Sequence, residues 1–191
     1  MTELRKLYLY DSVTGNEIGI DDATASIQTI DYEHHEIHGE NHYFVVSYQD
    51  LTINQVLQFT FETPNTTKWS HLSWKISTES ETLWQIHEAS TINNALANAV
   101  TPLNSNRNSS NTSGNTLKYE VHANTAAADT DVTVGTLIES GISGAGRDAG
   151  NAERSHEIIL KQNTVYSMRA TATAAGFVNF NMQWYEHTDK A

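Results

Sequence analysis

Four of the nine histidines in this 191-residue chain fall within nine positions, in the run Tyr32-Glu33-His34-His35-Glu36-Ile37-His38-Gly39-Glu40-Asn41-His42. Drawn out as a β-strand, the run would send His34, Glu36 and His38 to one face, and two imidazoles with a carboxylate are a ligand set for Zn²⁺ or a similar ion. The spacing differs from the helical HExxH motif: His34 and His38 stand four apart, but the acid is at 36, and Gly39 and Asn41 disfavour a helix. It also lacks a His-x-His pair followed by a Glu. The competing reading is a polar strand end whose histidines hydrogen-bond to neighbours or lie at a subunit contact.

Other chemistry-bearing patterns are weaker. Serines, histidines and acids are plentiful, but no Gly-x-Ser-x-Gly elbow presents a nucleophile. Gly144-Ala145-Gly146-Arg147-Asp148-Ala149-Gly150 has one residue too many for a dinucleotide fingerprint and lacks the strand-to-helix setting that aims amides at a pyrophosphate, so it reads as a loop. Asn65-Thr66-Thr67, Asn108-Ser109-Ser110 and Asn111-Thr112-Ser113 match the glycosylation sequon, as chance allows in a chain rich in Asn and Thr. Trp74, Trp84 and Trp184 lie on apolar strand faces and read as core; Trp69 falls on the opposite face and is a candidate exposed or interfacial aromatic.

Composition narrows the function classes. The formal charge is −12, from 23 acidic and 11 basic residues. A field of that sign repels phosphate backbones and no basic run offsets it, so no nucleic-acid partner is expected. With no cysteine, disulfides, thiolate metal sites and a Cys nucleophile are excluded, and maturation in a reducing cytoplasm is favoured. No apolar run approaches the roughly 18 to 20 residues that span a bilayer. The opening MTELRKLYLYDS lacks the apolar stretch of a secretion signal, so a soluble protein without a membrane partner is expected.

The elements that would position these residues are strands. From Phe177 to Tyr185, Val178, Phe180, Met182 and Trp184 alternate with Asn179, Asn181 and Gln183, which predicts a strand with one buried face. Residues 164–173 precede it as a second strand, with a hairpin turn expected at Ala174-Ala175-Gly176. Leu57, Phe59 and Phe61 share a face, as do Leu72, Trp74 and Ile76, and Trp84 with Ile86. Further strands are expected over 43–48, 117–122, 132–138 and 156–161, with Pro64-Asn65 as a turn. Helix is nearly absent; residues 91–99 read as a turn or loop. Residues 104–116, almost all Asn, Ser and Thr, and the glycine-rich residues 141–150 read as loops. Eight or more short strands predict an all-β fold, an antiparallel jelly-roll β-sandwich over residues 27–191. Residues 1–26 form a separate arm or hairpin, with Leu4, Leu7, Tyr8, Leu9 and Tyr10 apolar beside Arg5 and Lys6; an isolated hairpin needs a partner surface.

Three stretches carry a resemblance to a known family. Tyr32-Glu33-His34-His35-Glu36-Ile37-His38-Gly39 with His42-Tyr43-Phe44 is one. Val56-Leu57-Gln58-Phe59-Thr60-Phe61-Glu62-Thr63-Pro64 with Lys68-Trp69 is another. The third is Glu157-Ile158-Ile159-Leu160-Lys161-Gln162-Asn163-Thr164 with Trp184-Tyr185-Glu186-His187. In order over roughly residues 32–187, they resemble segments of the capsid decoration (cement, or auxiliary head) proteins of tailed bacteriophages. The resemblance implies a jelly roll, a homotrimer, the major capsid protein as partner, and a place on the capsid exterior after assembly in the bacterial cytoplasm. It implies no reaction, no cofactor and no catalytic residue. Residues 1–26 lie outside it. There Arg5, Lys6, Leu7, Tyr8, Leu9 and Tyr10 are the candidate capsid-binding residues, able to add a strand to a capsid edge with the cations facing an acidic surface. Two other readings compete: a virion jelly roll binding cell-surface glycans or a receptor, and a metal-dependent enzyme of cupin type using His34, Glu36 and His38.

Overall fold

The computed structural model describes residues 32–144, 150–153 and 157–188. By contacts the chain divides into two units, residues 1–35 and 36–191, and the described residues are those of the second with the start of helix 32–38 before it. Arg5 to Tyr10 lie outside the described residues.

In chain order the elements are α1 (Tyr32–His38), β1 (His42–Leu51), β2 (Val56–Glu62), β3 (Lys68–Thr78), β4 (Thr82–Glu88), β5 (Thr91–Ile92), β6 (Asn98–Val100), β7 (Leu103–Asn104), β8 (Thr116–His122), α2 (Thr125–Asp131), β9 (Val132–Thr133), β10 (Thr136–Ser143), β11 (Gly150–Glu153), β12 (Ile158–Leu160), β13 (Val165–Ala172) and β14 (Gly176–Thr188). The protein is all-β, with antiparallel sheets. The first sheet runs β11-β3-β14-β1-β7, with β12 also on β3; the second runs β10-β4-β13-β2-β8-β6; β5 and β9 form a small ribbon.

Alternation explains how the two six-stranded sheets share one interior. Every second residue of a strand faces the same side, and Val45, Trp74, Ile76, Val178, Phe180, Met182 and Trp184 of the first sheet meet Leu57, Phe59, Phe61, Trp84, Ile86, Leu117 and Met168 of the second in one buried cluster. Ring pairs cross between the sheets: Phe59 with Phe180 at 5.3 Å, Phe61 with Trp184 at 5.0 Å, and Trp74 with Trp84 at 4.7 Å. Each fully buried Leu, Ile, Phe or Met stabilises the fold by about 1.5–3 kcal/mol relative to exposure. The three core tryptophans are buried as expected, and Trp69 is half-buried.

Two expectations are corrected. Residues 174–176 turn the chain but make no hairpin: β13 pairs with β2 and β4 in the second sheet, whereas β14 pairs with β1 and β3 in the first. A period of two shows that each segment is a strand and says nothing of its neighbour. The histidine run is also a helix, not a strand. Glu33 occupies its first turn, where a carboxylate favours the positive end of the helix dipole. Its end is closed by Glu40 N donating to Ile37 O at 3.1 Å and Asn41 N to Glu36 O at 3.0 Å, with Glu40 at φ 63°. This is a Schellman stop. Gly39 and Asn41, which argued against a helix, instead lie where one ends.

Candidate functional site

In α1, residues 34 and 38 are one helical turn apart while residue 36 lies about 200° around from 34. His34 and His38 are exposed and Glu36 is 4% exposed. The shared face on which His34, Glu36 and His38 would bind an ion rested on a strand, and the helix removes it.

Polar chemistry gathers instead on the outer side of the second sheet. In β2, Gln58 and Thr60 point away from Leu57, Phe59 and Phe61, yet both are buried. The segment between β4 and β10 folds back over them. There α2 begins with Asn124, whose side chain accepts a bond from Ala127 N at 3.0 Å and so caps the helix. Ala128 and Val132 are fully buried against the sheet. Asn93 and Asn94, beside β5, hold the far end of α2 through their backbone N–H bonds to Asp131 O and the bond from Asn94 Nδ2 to Asp131 Oδ1 at 2.9 Å.

Arg169 of β13 sits beneath this cover. Its Nη1 donates to Asp129 Oδ1 at 2.6 Å and its Nη2 to Val132 O at 2.8 Å. The Gln58 amide is satisfied in one orientation, in which its oxygen accepts from Arg169 Nε at 3.0 Å and Nη2 at 3.1 Å, and its NH₂ donates to Ala128 O at 3.3 Å and His122 Nε2 at 3.2 Å. A planar, always-charged guanidinium suits such a crossing point because its donors are fixed in direction. His87 Nδ1, buried in the same layer, meets no hydrogen-bond partner among the described residues. Burial, and then the charge of Arg169, push the His87 pKa below the ordinary histidine value.

At the edge of this layer Glu120, His122 and Asp131 bring their ligand atoms within 4.8 Å of one another. The donor set suits a transition ion, but the bonding around it does not. His122 Nε2 accepts from Gln58, so the ring proton is on Nδ1, facing Asp131 Oδ2 at 3.6 Å. An ion on Nδ1 would have to displace that proton and turn Gln58 over, breaking its bonds to Arg169 and Ala128. Glu120 in turn accepts from Ala97 N at 2.9 Å. The group works as a clasp between β8 and the covering segment.

A second polar knot closes one end of the shared core. Glu186 of β14 is 4% exposed and follows Trp184 on the inward side. Its Oε1 accepts from Ser113 Oγ at 2.5 Å, Asn115 Nδ2 at 2.9 Å and Trp184 Nε1 at 3.0 Å, and its Oε2 from Gly114 N at 3.1 Å. The Asn/Ser/Thr-rich loop thus buries polar atoms against a carboxylate. Glu40 holds its other half, accepting from Ser109 Oγ at 2.7 Å and, through its backbone oxygen, from Asn104 Nδ2 at 2.9 Å. Burial, then Glu186 and Glu40, push the Tyr43 pKa up to about 12.

Sequence reasoning passed over Arg169, Gln58 and Glu186. The one available signal was Asn124-Thr125-Ala126-Ala127-Ala128, a capping residue before good helix formers. Compared with protein-family models, with curated proteins and with solved structures, the chain matches none.

Proposed function

We propose that this chain is a structural virion protein of the jelly-roll type, which binds the outer surface of a tailed-phage capsid as a homotrimer and stabilises the shell. Strand order is the observation that carries the reading. Taken as a framework, β1-β14-β3 with β11 and β12 makes one sheet and β2-β13-β4-β10 the other. Successive framework strands therefore cross from sheet to sheet, except β4 and β10, which pair within the second sheet, as in the double Greek key of a jelly roll. On this reading β5 to β9 and α2 are an insertion between the fourth and fifth framework strands. The segments that resemble decoration proteins fall on α1, β1, β2, β3, β12 and β14, which are the frame and its entrance.

The polar clusters fit a structural role. The Arg169 and Glu186 networks are spent on fastening the insertion and the Asn-rich loop to the frame. A lattice-binding protein needs a rigid body, because many weak contacts add up only when their geometry is fixed. The partner on this reading is the major capsid protein, reached through Arg5 to Tyr10.

The test is to incubate the purified chain with a panel of undecorated tailed-phage heads, and then to image them by cryo-microscopy. The expected result is added density on threefold positions. Deleting residues 1–20 is expected to abolish binding while leaving a folded trimer by light scattering. Failure to bind any shell, together with capture by a glycan array or turnover of a small molecule, would overturn the reading.

A further inference from the structure

The outer side of the first sheet carries an imidazole pair that the proposed virion role does not use. In the β3–β14 ladder, His71 lies opposite Tyr185, and His187 opposite Trp69. The two histidines are therefore diagonal neighbours on one face of an antiparallel pair, where side chains reach each other. His71 stacks on Tyr185, ring centres 4.5 Å apart and planes 19° apart, which fixes the plane of its ring. The two Nε2 atoms face each other at 2.7 Å.

The other ring nitrogens decide what that approach means. His71 Nδ1 lies 3.0 Å from Glu157 Oε1, and His187 Nδ1 lies 3.1 Å from the Thr188 backbone oxygen. Both partners only accept, so both Nδ1 atoms carry protons, and in the neutral rings both Nε2 atoms point lone pairs at each other. Two lone pairs at that separation repel unless a cation stands between them. Metal-bound histidines have this same arrangement, with the far N–H given to a carboxylate or backbone carbonyl and the near nitrogen turned to the ion. Glu157 is itself oriented, since Tyr185 Oη donates to its Oε2 at 2.6 Å.

We propose that His71 and His187 are the Nε2 ligands of a divalent transition-metal site on the outer face of the first sheet, with Glu157 positioning the His71 ring. Two nitrogens on a tetrahedral ion at about 2.0–2.1 Å stand about 3.3 Å apart, so the pair must open by only ~0.6 Å. His187, half-buried near the end of β14, is the less buried ring of the two. Imidazole nitrogens select Zn²⁺, Ni²⁺ or Cu²⁺ over Mg²⁺ and Ca²⁺, which take oxygen ligands. Two imidazoles are half of a tetrahedral ligand set, so an affinity on the order of micromolar is expected.

The full chain, stripped with chelator, is titrated with Zn²⁺ by calorimetry, with ¹⁵N spectra of the histidine rings recorded in parallel. One ion per chain is expected, with the His71 and His187 Nε2 resonances displaced. His187→Gln is expected to weaken binding at least ~10-fold, and Glu157→Gln, which leaves both ligands in place, by about 10-fold. His71→Ala should abolish it. His187→Gln changes a half-buried residue at a strand end, so circular dichroism should show the fold intact. No uptake at tens of micromolar Zn²⁺ would mean that the pair shares only a proton. Undiminished uptake by the His71→Ala, His187→Gln double variant would place the ion elsewhere. Either result overturns the proposal, and neither bears on capsid binding.

Discussion

On the second sheet, Gln58, Ser167, His87 and Arg169 point away from the oily interior and are nonetheless buried. On the first sheet Val46, Tyr48 and Phe177 also point away from it, yet are 56%, 57% and 40% exposed. The usual ordering of polar outside and apolar inside is thus reversed between the two outer faces. The reversal has a physical cause. Covering a sheet face with irregular chain brings backbone carbonyls such as Val132 O and Ala128 O down onto it, and buried carbonyls need donors. Arg169 and Gln58 supply them. Around Tyr48 and Phe177, which no described segment covers, the rings stack on each other at 4.9 Å. A polar residue at a strand's outward position is therefore no mark of exposure.

Breaking the covered side should have the largest effect. Arg169→Ala removes the guanidinium donors from Val132 O and Asp129, leaves the Gln58 oxygen only Ser167 Oγ, and frees α2. A loss of about 3 kcal/mol is expected in urea unfolding, since removing one partner strands the others. Limited proteolysis should then cut within residues 124–133, and a loss under ~1 kcal/mol would show that the cover is held some other way. Glu186→Gln is next: its NH₂ must face either Gly114 N–H or the Asn115 and Trp184 donors. The expected cost is about 2 kcal/mol, with faster hydrogen exchange over residues 105–115 as the specific sign.

Gly141→Ala tests the packing rather than the polar layer, because an added Cβ would come within 2.5 Å of the Trp84 ring. Overpacking there should cost about 1–3 kcal/mol, read as a fall in Tm. A gentler effect is expected from pH. Protonation of His87 is disfavoured in the folded chain, so the unfolded chain takes up more protons once pH drops below about 6.5 and stability declines from there. Tyr43 and Tyr166 titrate above their ordinary value of 10, so stability should also decline as pH rises past 10. The acid arm should flatten in His87→Gln. Smallest of all, Tyr48→Ser on the open face should change stability by about 0.5 kcal/mol or less. A larger loss would mean that this face is covered in the assembled protein.

Most of the frame could be read directly from the chain. The alternation of Val178, Phe180, Met182 and Trp184, and of Leu57, Phe59 and Phe61, named strands and core together, because a period of two with one apolar set admits one buried face. The candidate site was far less legible. His34, Glu36 and His38 stood out by density, but their use depended on whether seven residues formed a strand or a helix, and Glu33 with the stop at Gly39-Glu40-Asn41 settled that in favour of the helix.

Composition and local pattern determined that this protein is all-β, that it is strongly acidic, and that three of its four tryptophans lie inside. These depend on each residue and its near neighbours. Only the tertiary structure decided that β13 and β14 belong to different sheets, that α2 covers Gln58 and Arg169, that the Asn-rich loop is tied to Glu186, and that His71 meets His187. The contacts that fasten them join residues between 37 and 116 positions apart. At such separations the partner is chosen by strand order and register, which no local window of sequence contains.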